Sequence, residues 1–296
     1  MANYGLPPSS LLLILMLIFF NAFILPSAMD CNSSDKAALL KVKEQLGNPP
    51  ELSSWLPATN CCAWEEHILC SEIGRVTLVS LSGLNVTAPI PSAFGELPML
   101  RFIMLDTMPG LYGSIPSSFS KLSHLRTLDI NGTSITGPLP DFLANTNLHR
   151  LTISNSKLTG PIPQSLSRLP NLYYINLHGN MLSGSIPPGL LHNGRLGSLL
   201  SNNRLTGEIP AYYGNEDIYI IDLSHNQITG NISFLYAAKR VTIVDLSWNK
   251  LEFDMTEEKV RMNHAKANNL RAGRAFDLHG RSGPDVLIQS FRDLNF

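Results

Sequence analysis

Charge is the first thing this chain lacks. Only 15% of the 296 residues are Asp, Glu, Lys or Arg, the formal net charge is -1, and no basic run occurs. Phosphate neutralisation needs clustered Lys and Arg, so the composition argues against a nucleic-acid partner. Catalytic signatures are missing too. The histidines at 67, 124, 149, 178, 192, 225, 264 and 279 form no HExxH pair, and there is no GxSxG elbow, phosphate loop or EF-hand spacing. The expectation is a protein with no catalytic site, no metal and no cofactor.

Long apolar runs are nearly absent, and the exception is informative. Residues 1–29 hold no charged side chain, Leu11 to Phe20 is uninterrupted apolar sequence, and the small residues of PSAM follow from Pro26 to Met29. That pattern predicts a secretory signal peptide over 1–28, cleaved near Ala28. The run is shorter than the roughly 20 residues a span requires, and none of its length recurs, so a secreted chain without a membrane span is expected. The four cysteines, Cys31, Cys61, Cys62 and Cys70, then lie in an oxidising compartment and read as disulfides. Adjacent Cys61 and Cys62 would bond to each other only with strain, so each reaches elsewhere. No CxxC pair suggests zinc. Sequons at Asn32, Asn85, Asn131 and Asn231 are candidate glycan acceptors.

What the chain has is repetition. LTISNSKLTGPIP from Leu151, INLHGNMLSGSIP from Ile175 and IDLSHNQITGNIS from Ile221 are versions of one segment. Its second apolar anchor falls at Val86, Leu111, Ile135, Leu158, Leu182, Leu205, Ile228 and Leu251, in steps of 25, 24, 23, 24, 23, 23 and 23 residues. A period of roughly 20 to 29 residues with a strand per unit is that of a leucine-rich repeat. Eight repeats over 76–253 make one quasi-one-dimensional domain rather than two cores.

Each unit begins LxxLxL, as in Leu125, Leu128 and Ile130 or Leu148, Leu151 and Ile153. Alternation at period two turns the last two apolar residues inward, so stacked units build a parallel sheet. Asn180, Asn203, Asn226 and Asn249 follow, each able to bond backbone groups of its own and the neighbouring coil; Thr133 and Ser156 hold that place earlier, where the ladder is weaker. A recurring glycine suits a turn, and Pro116, Pro140, Pro163, Pro187 and Pro210 oppose a long helix on the return path. Short 3₁₀ turns or irregular chain are therefore expected on the convex side. RLGSLLSNN, from Arg195, reads as having lost a residue between Leu199 and Leu200, which predicts a bent or shortened strand.

Residues 29–75 read as a cap. Ala38, Leu39, Val42 and Leu46 have helical spacing, with Ser34 or Asp35 as the N-cap and Gly47 as the stop. Such a cap shields the apolar end of the first coil. LxxLxLSxNxLTGxIP resembles the plant extracellular leucine-rich repeat. CNSSDKAALLKVKEQLGNPPELSSW and NCCAWEEHILC, within Cys31 to Cys70, are similar to the amino-terminal cap of polygalacturonase-inhibiting proteins, and KRVTIVDLSWNKLEF resembles their later repeats. The likeness covers about 31 to 253. It implies a leucine-rich-repeat solenoid with a parallel β-sheet on the concave face, a 3₁₀ or irregular convex side and a disulfide-bonded helical cap, with Cys31 paired to Cys61 and Cys62 to Cys70.

Residues 254–296 match less well. FDLHGRSGPDVLIQSFRDLNF, from Phe276, keeps the spacing of a partial repeat, but Arg281 holds the asparagine place, and Asp254 to Arg274 reads as an insertion with a helix over Thr256 to Leu270. The family's last repeat and cysteine-bearing C-terminal cap do not follow. An uncovered end with Leu287, Phe291, Leu294 and Phe296 predicts self-association.

Outward strand positions are the candidate contact surface: Phe102, Met104 and Asp106; Thr127, Asp129 and Asn131; Arg150, Thr152 and Ser154; Tyr174, Asn176 and His178; Ile220, Asp222 and Ser224; Ile243, Asp245 and Ser247. At about 4.8 Å per strand, eight or nine strands give a strip roughly 35 to 40 Å long, enough for a partner burying ~800 Å² per side. The resemblance implies that this strip clamps a secreted pectin-degrading endopolygalacturonase in the plant cell wall, with pectin a further contact. A peptide- or glycan-sensing receptor ectodomain and an ice-binding antifreeze protein are the competing readings.

Overall fold

A computed structural model describes residues 30–64, 66–193, 197–211, 218–231, 241–251 and 270–271. The expected leader over 1–28 and the candidate helix, partial repeat and apolar end assigned to 254–296 lie outside the described residues, apart from Leu270–Arg271.

The repeat winds into coils that stack in chain order. Strands Val76–Ser82, Phe102–Asp106, Thr127–Asn131, Arg150–Ser154, Tyr174–Asn176, Gly197–Leu199, Ile218–Asp222, Val241–Asp245 and Leu270–Arg271 pair in parallel, each with the next. Ile68–Cys70 closes the other end of this long sheet, antiparallel to Val76–Ser82. Alternation decides the faces. Ile103 and Leu105, Leu128 and Ile130, and Leu151 and Ile153 are all at most 1% exposed, while their neighbours face out. Fully burying such a side chain contributes roughly 1.5–3 kcal/mol. No coil can bury its apolar edge alone, so each is stabilised by the one above and below.

A second sheet was not anticipated from the sequence. Ala88–Pro89, Leu111–Gly113, Ser134–Gly137, Lys157–Pro161, Met181–Gly184, Arg204–Glu208 and Gln227–Thr229 form a seven-stranded ladder among the described residues. Each is the "LTG" segment of its coil, whose backbone finds partners in the same segment one period away. The turn that ends it takes φ near +80° at Gly137 and Gly160, where an L side chain is disfavoured. Proline then sets an extended entry to a single 3₁₀ turn, at Ser117–Lys121 after Pro116, Asp141–Asn145 after Pro140 and Gln164–Arg168 after Pro163.

The asparagine ladder joins these layers. Asn203 Oδ1 accepts from Leu182 N of the preceding coil at 3.0 Å, and its Nδ2 donates to Leu177 O of that coil and to Leu200 O and Ser201 O of its own. Asn180, Asn226 and Asn249 repeat the pattern. Where the place is taken by Thr133 and Ser156, one hydroxyl-hydroxyl contact of 2.8 Å and a Ser156 bond to Ser154 O stand in for it.

One coil corrects the sequence reading. The strand is short, as expected, spanning Gly197–Leu199, but no residue is lost near Leu199: Tyr174, Ile175 and Asn176 pair with Gly197, Ser198 and Leu199, and Ser198 and Leu199 pair in turn with Ile221 and Asp222. Ser198 therefore occupies an aliphatic slot. It is fully buried, and its hydroxyl has no hydrogen-bond partner among the described residues.

The cap helix spans Ser33–Gln45, and its N-cap is Asn32, not Ser34 or Asp35. Asn32 Oδ1 accepts from Ser34 N and Asp35 N. Asp35 is committed elsewhere: fully buried, it takes Arg75 Nε and Nη2 at 2.9 and 2.8 Å and Val76 N at 2.9 Å, tying the helix to the first coil. The Asp35 hydrogen bond holds the Arg75 guanidinium above its ordinary pKa. The helix stops at Gly47, with Gly47 N bonded to Glu44 O and Asn48 N to Lys43 O. Disulfides join Cys31 to Cys61 and Cys62 to Cys70, and Trp55 stacks on Trp64 at 4.9 Å.

Candidate functional site

The outward face of the long sheet is ruled into three rows by its register. The first runs through Leu69, Leu78, Phe102, Thr127, Arg150, Tyr174 and Gly197, and Ile220 pairs with Ile243 further along. The second runs through Ser80, Met104, Asp129, Thr152, Asn176, Leu199, Asp222 and Asp245. The third carries Asp106, Asn131 and Ser154 in register.

Character changes along the face. At the cap end it is apolar: Leu69 is 57% and Met104 39% exposed, with Phe102 and Leu78 half-buried. In the middle, Arg150 stacks on the Tyr174 ring, its guanidinium carbon 4.4 Å from the centroid. Asp129 beside it is half-buried and accepts no hydrogen bond from any described residue. Burial pushes its carboxyl pKa up, Arg150 opposes that, and the like charge of Asp106 adds to it. Further along, Asp222 and Asp245 turn back on their own strands, accepting from Ser224 and Ser247 backbone and hydroxyl groups at 2.6 to 3.0 Å.

The third row is wired together. Asn131 Nδ2 donates to Asp106 Oδ1 at 2.7 Å, and Asn131 Oδ1 accepts from Ser154 Oγ at 2.9 Å and Asn155 Nδ2 at 3.0 Å. Ser201 Oγ donates to Asp222 Oδ2 at 2.6 Å and sits 2.8 Å from His178 Nδ1. A hydroxyl has one hydrogen and a carboxylate only accepts, so His178 Nδ1 is the donor to Ser201 Oγ. Serine in the middle of a His–Ser–Asp chain, 1% exposed, orients the imidazole; it is not placed as a nucleophile.

The register places the expected contact residues that lie within strands on this face, while His178, Ser224 and Ser247 follow the ends of theirs, and two of the strand residues are covered. Thr152 and Ser154 are only 5% and 4% exposed, so neither offers a free surface to a partner. Side chains converge on the inner wall of a curved sheet, and short ones disappear between longer neighbours. Thr152 Oγ1 moreover has no hydrogen-bond partner among the described residues. Sequence reasoning missed Leu69, Leu78, Leu199 and Ser201. Alternation in VTLVSLS would have found Leu78, whereas Leu199 was hidden by the misread register. Along the adjoining turn, Thr107, Asn155, Asn202, His225 and Trp248 all have φ between 48° and 56°, and His225 stacks on Trp248, which is 63% exposed.

Two parallel ladders wound from one repeating coil behind a disulfide-bonded cap define a leucine-rich-repeat protein. The Leucine rich repeat N-terminal domain family matches residues 32–71, and the Leucine Rich Repeat family matches 124–146, 147–169 and 171–193. Polygalacturonase inhibitor 1 of Oryza sativa subsp. japonica is 44% identical over 110 residues, 36% of this chain and 33% of that protein. Among solved structures, a plant ice-binding protein aligns at 36% identity and a TM-score of 0.69, covering 75% of this chain and 73% of that one. The ectodomain of the Arabidopsis thaliana receptor kinase GASSHO1/SCHENGEN3, solved in complex with CASPARIAN STRIP INTEGRITY FACTOR 2, aligns at 28% identity and a TM-score of 0.69, covering 81% and 29%. This chain is a leucine-rich-repeat protein that resembles the polygalacturonase inhibitors. It spans about a third of the length of the curated relatives it matches. No helix among the described residues is long and apolar enough to cross a membrane.

Proposed function

We propose that the protein is secreted to the cell wall, loses its leader over 1–28, and uses the concave sheet to grip and inhibit a pectin-degrading endopolygalacturonase. The observation that carries this reading is the outward face itself: a continuous strip with exposed apolar residues at one end, an Arg150–Tyr174 stack at its centre and Asp106, Asp129, Asp222 and Asp245 along it. Aromatic and arginine anchors ringed by polar groups are what protein contacts use, and carboxylates favour basic surroundings and faster encounter. The relatives' names point to the same partner. Titrating purified protein against several fungal endopolygalacturonases in a reducing-end assay is the test. Slowed release of reducing ends is expected, and undiminished rates with every enzyme reject the reading.

The likeness to the plant ice-binding protein favours a second reading, in which the sheet binds ice. Arg150, Tyr174 and Met104 standing on the face break the flatness such binding needs. Unaltered grain growth in a frozen sucrose film rejects it.

A further inference from the structure

The cap end of the long sheet carries an apolar patch that the repeat itself does not require. Coil stacking is served by the inward residues, whereas Leu69, Leu78, Phe102 and Met104 face outward, Leu69 57% and Met104 39% exposed. Leu69, Leu78 and Phe102 stand side by side on three adjacent strands, and Met104 lies two residues further along the strand that carries Phe102. From strand spacing and rise, the patch measures roughly 10 by 7 Å, room for one bulky side chain.

The next strand supplies the complement. Asp129 pairs with Met104 in register and is half-buried. Its carboxylate accepts no hydrogen bond from a described residue, and the neighbouring cation, Arg150, is turned onto Tyr174. Beside it Thr152, nine-tenths buried, holds a hydroxyl without a partner among the described residues. A partly desolvated carboxylate without donors is stabilised by an incoming cation.

We propose that this corner is an anchor site for a partner polypeptide, taking one aromatic or large aliphatic side chain over Leu69, Leu78, Phe102 and Met104 and an adjacent Lys or Arg against Asp129. It deepens the proposed function, since it rests on the concave face gripping a protein, and it names the chemistry of the segment gripped. Burying the exposed Leu and Met removes apolar area from water, and the cation restores hydrogen bonding to the carboxylate.

The test pans a phage library of random linear peptides on the full-length, disulfide-intact protein and measures affinities of synthetic consensus peptides by fluorescence anisotropy. Expected is a consensus with Phe, Trp, Leu or Met next to Lys or Arg. Its affinity should fall about tenfold or more with Leu69→Glu and with Met104→Glu. Asp129→Asn should erase the basic preference while the apolar one persists, and Lys121→Glu, on the convex side, should change nothing. Circular dichroism confirms that the variants fold. Overturning results are no consensus, or a consensus bound equally by Leu69→Glu and Met104→Glu. A wild-type dimer split by Met104→Glu in light scattering also overturns it, assigning the patch to a second copy. Endopolygalacturonase titration separates the two ideas. Inhibition retained by both glutamate variants sinks the anchor alone, whereas peptide binding without inhibition of any enzyme sinks the inhibitor reading alone.

Discussion

Replacing Ser198 should stabilise the protein. Its side chain is fully buried in a slot that Ile175 and Ile221 fill in the adjacent coils, and its hydroxyl has no partner among the described residues. An unpaired buried hydroxyl costs about 1–3 kcal/mol. Ser198→Ala removes that cost but surrenders some packing, for a net gain of about 1 kcal/mol. Ser198→Val also restores a β-branched aliphatic to the strand and buries about one more methyl group, worth roughly 0.8 kcal/mol, for a gain of about 2 kcal/mol in all. At 2–4 °C per kcal/mol for a domain of this size, the Val variant should melt about 4–8 °C higher. Melts followed by circular dichroism, with the disulfides intact, measure this, and amide hydrogen exchange at Leu177 and Leu200 localises it. A Val variant melting at or below wild type, together with a destabilised Ala variant, would show that the hydroxyl is satisfied and refute the reasoning.

Asp35→Asn should lower stability by about 1–3 kcal/mol, because the fully buried side chain gives up its charge-assisted bonds to the partly exposed Arg75 guanidinium and to Val76 N; chemical denaturation with near-ultraviolet detection of Trp55 and Trp64 reads the loss. Asp129 has a raised folded-state pKa, so its contribution to stability is fully present below the ordinary carboxylate range and is lost as pH rises through the raised value. Asp129→Asn should therefore be more stable than wild type at pH 7, with the difference in melting temperature shrinking toward pH 3; a pH-independent difference contradicts this. Asn131, whose amide nitrogen binds Asp106, should carry far less glycan than exposed Asn85. Peptide mapping by mass spectrometry after expression in plant cells measures both, and equal occupancy contradicts the expectation.

The coil was legible because its determinants are local and repeated. Asparagine at one place per period can satisfy two coils only if they stack, and Asn180, Asn203, Asn226 and Asn249 do so. The second sheet was not legible, since an LTG segment gives no sign of its partner one period away. Ser198 misled because matching Leu199 and Leu200 to the apolar template looked better locally. Register is instead set by the two flanking strands and by the bonds of Asn203, which outweigh one polar residue in an apolar slot. The N-cap was misassigned for a similar reason: Asp35 is a good cap by type, but a guanidinium distant in sequence claims it. At the candidate site, periodicity placed the outward residues but could not show that Thr152 and Ser154 are covered, because burial depends on neighbours from other coils.

Coils that touch only their neighbours also set how the molecule yields to force. Pulled by its two ends, it should peel turn by turn rather than rupture at once. Each period of about 23 residues would lengthen the tether by roughly 80 Å when extended. The stretch between Cys31 and Cys70 is bridged by its two disulfides and would yield far less length. A trace in optical tweezers would then read as a staircase of near-equal steps ending in a shorter one, a mechanical copy of the sequence period.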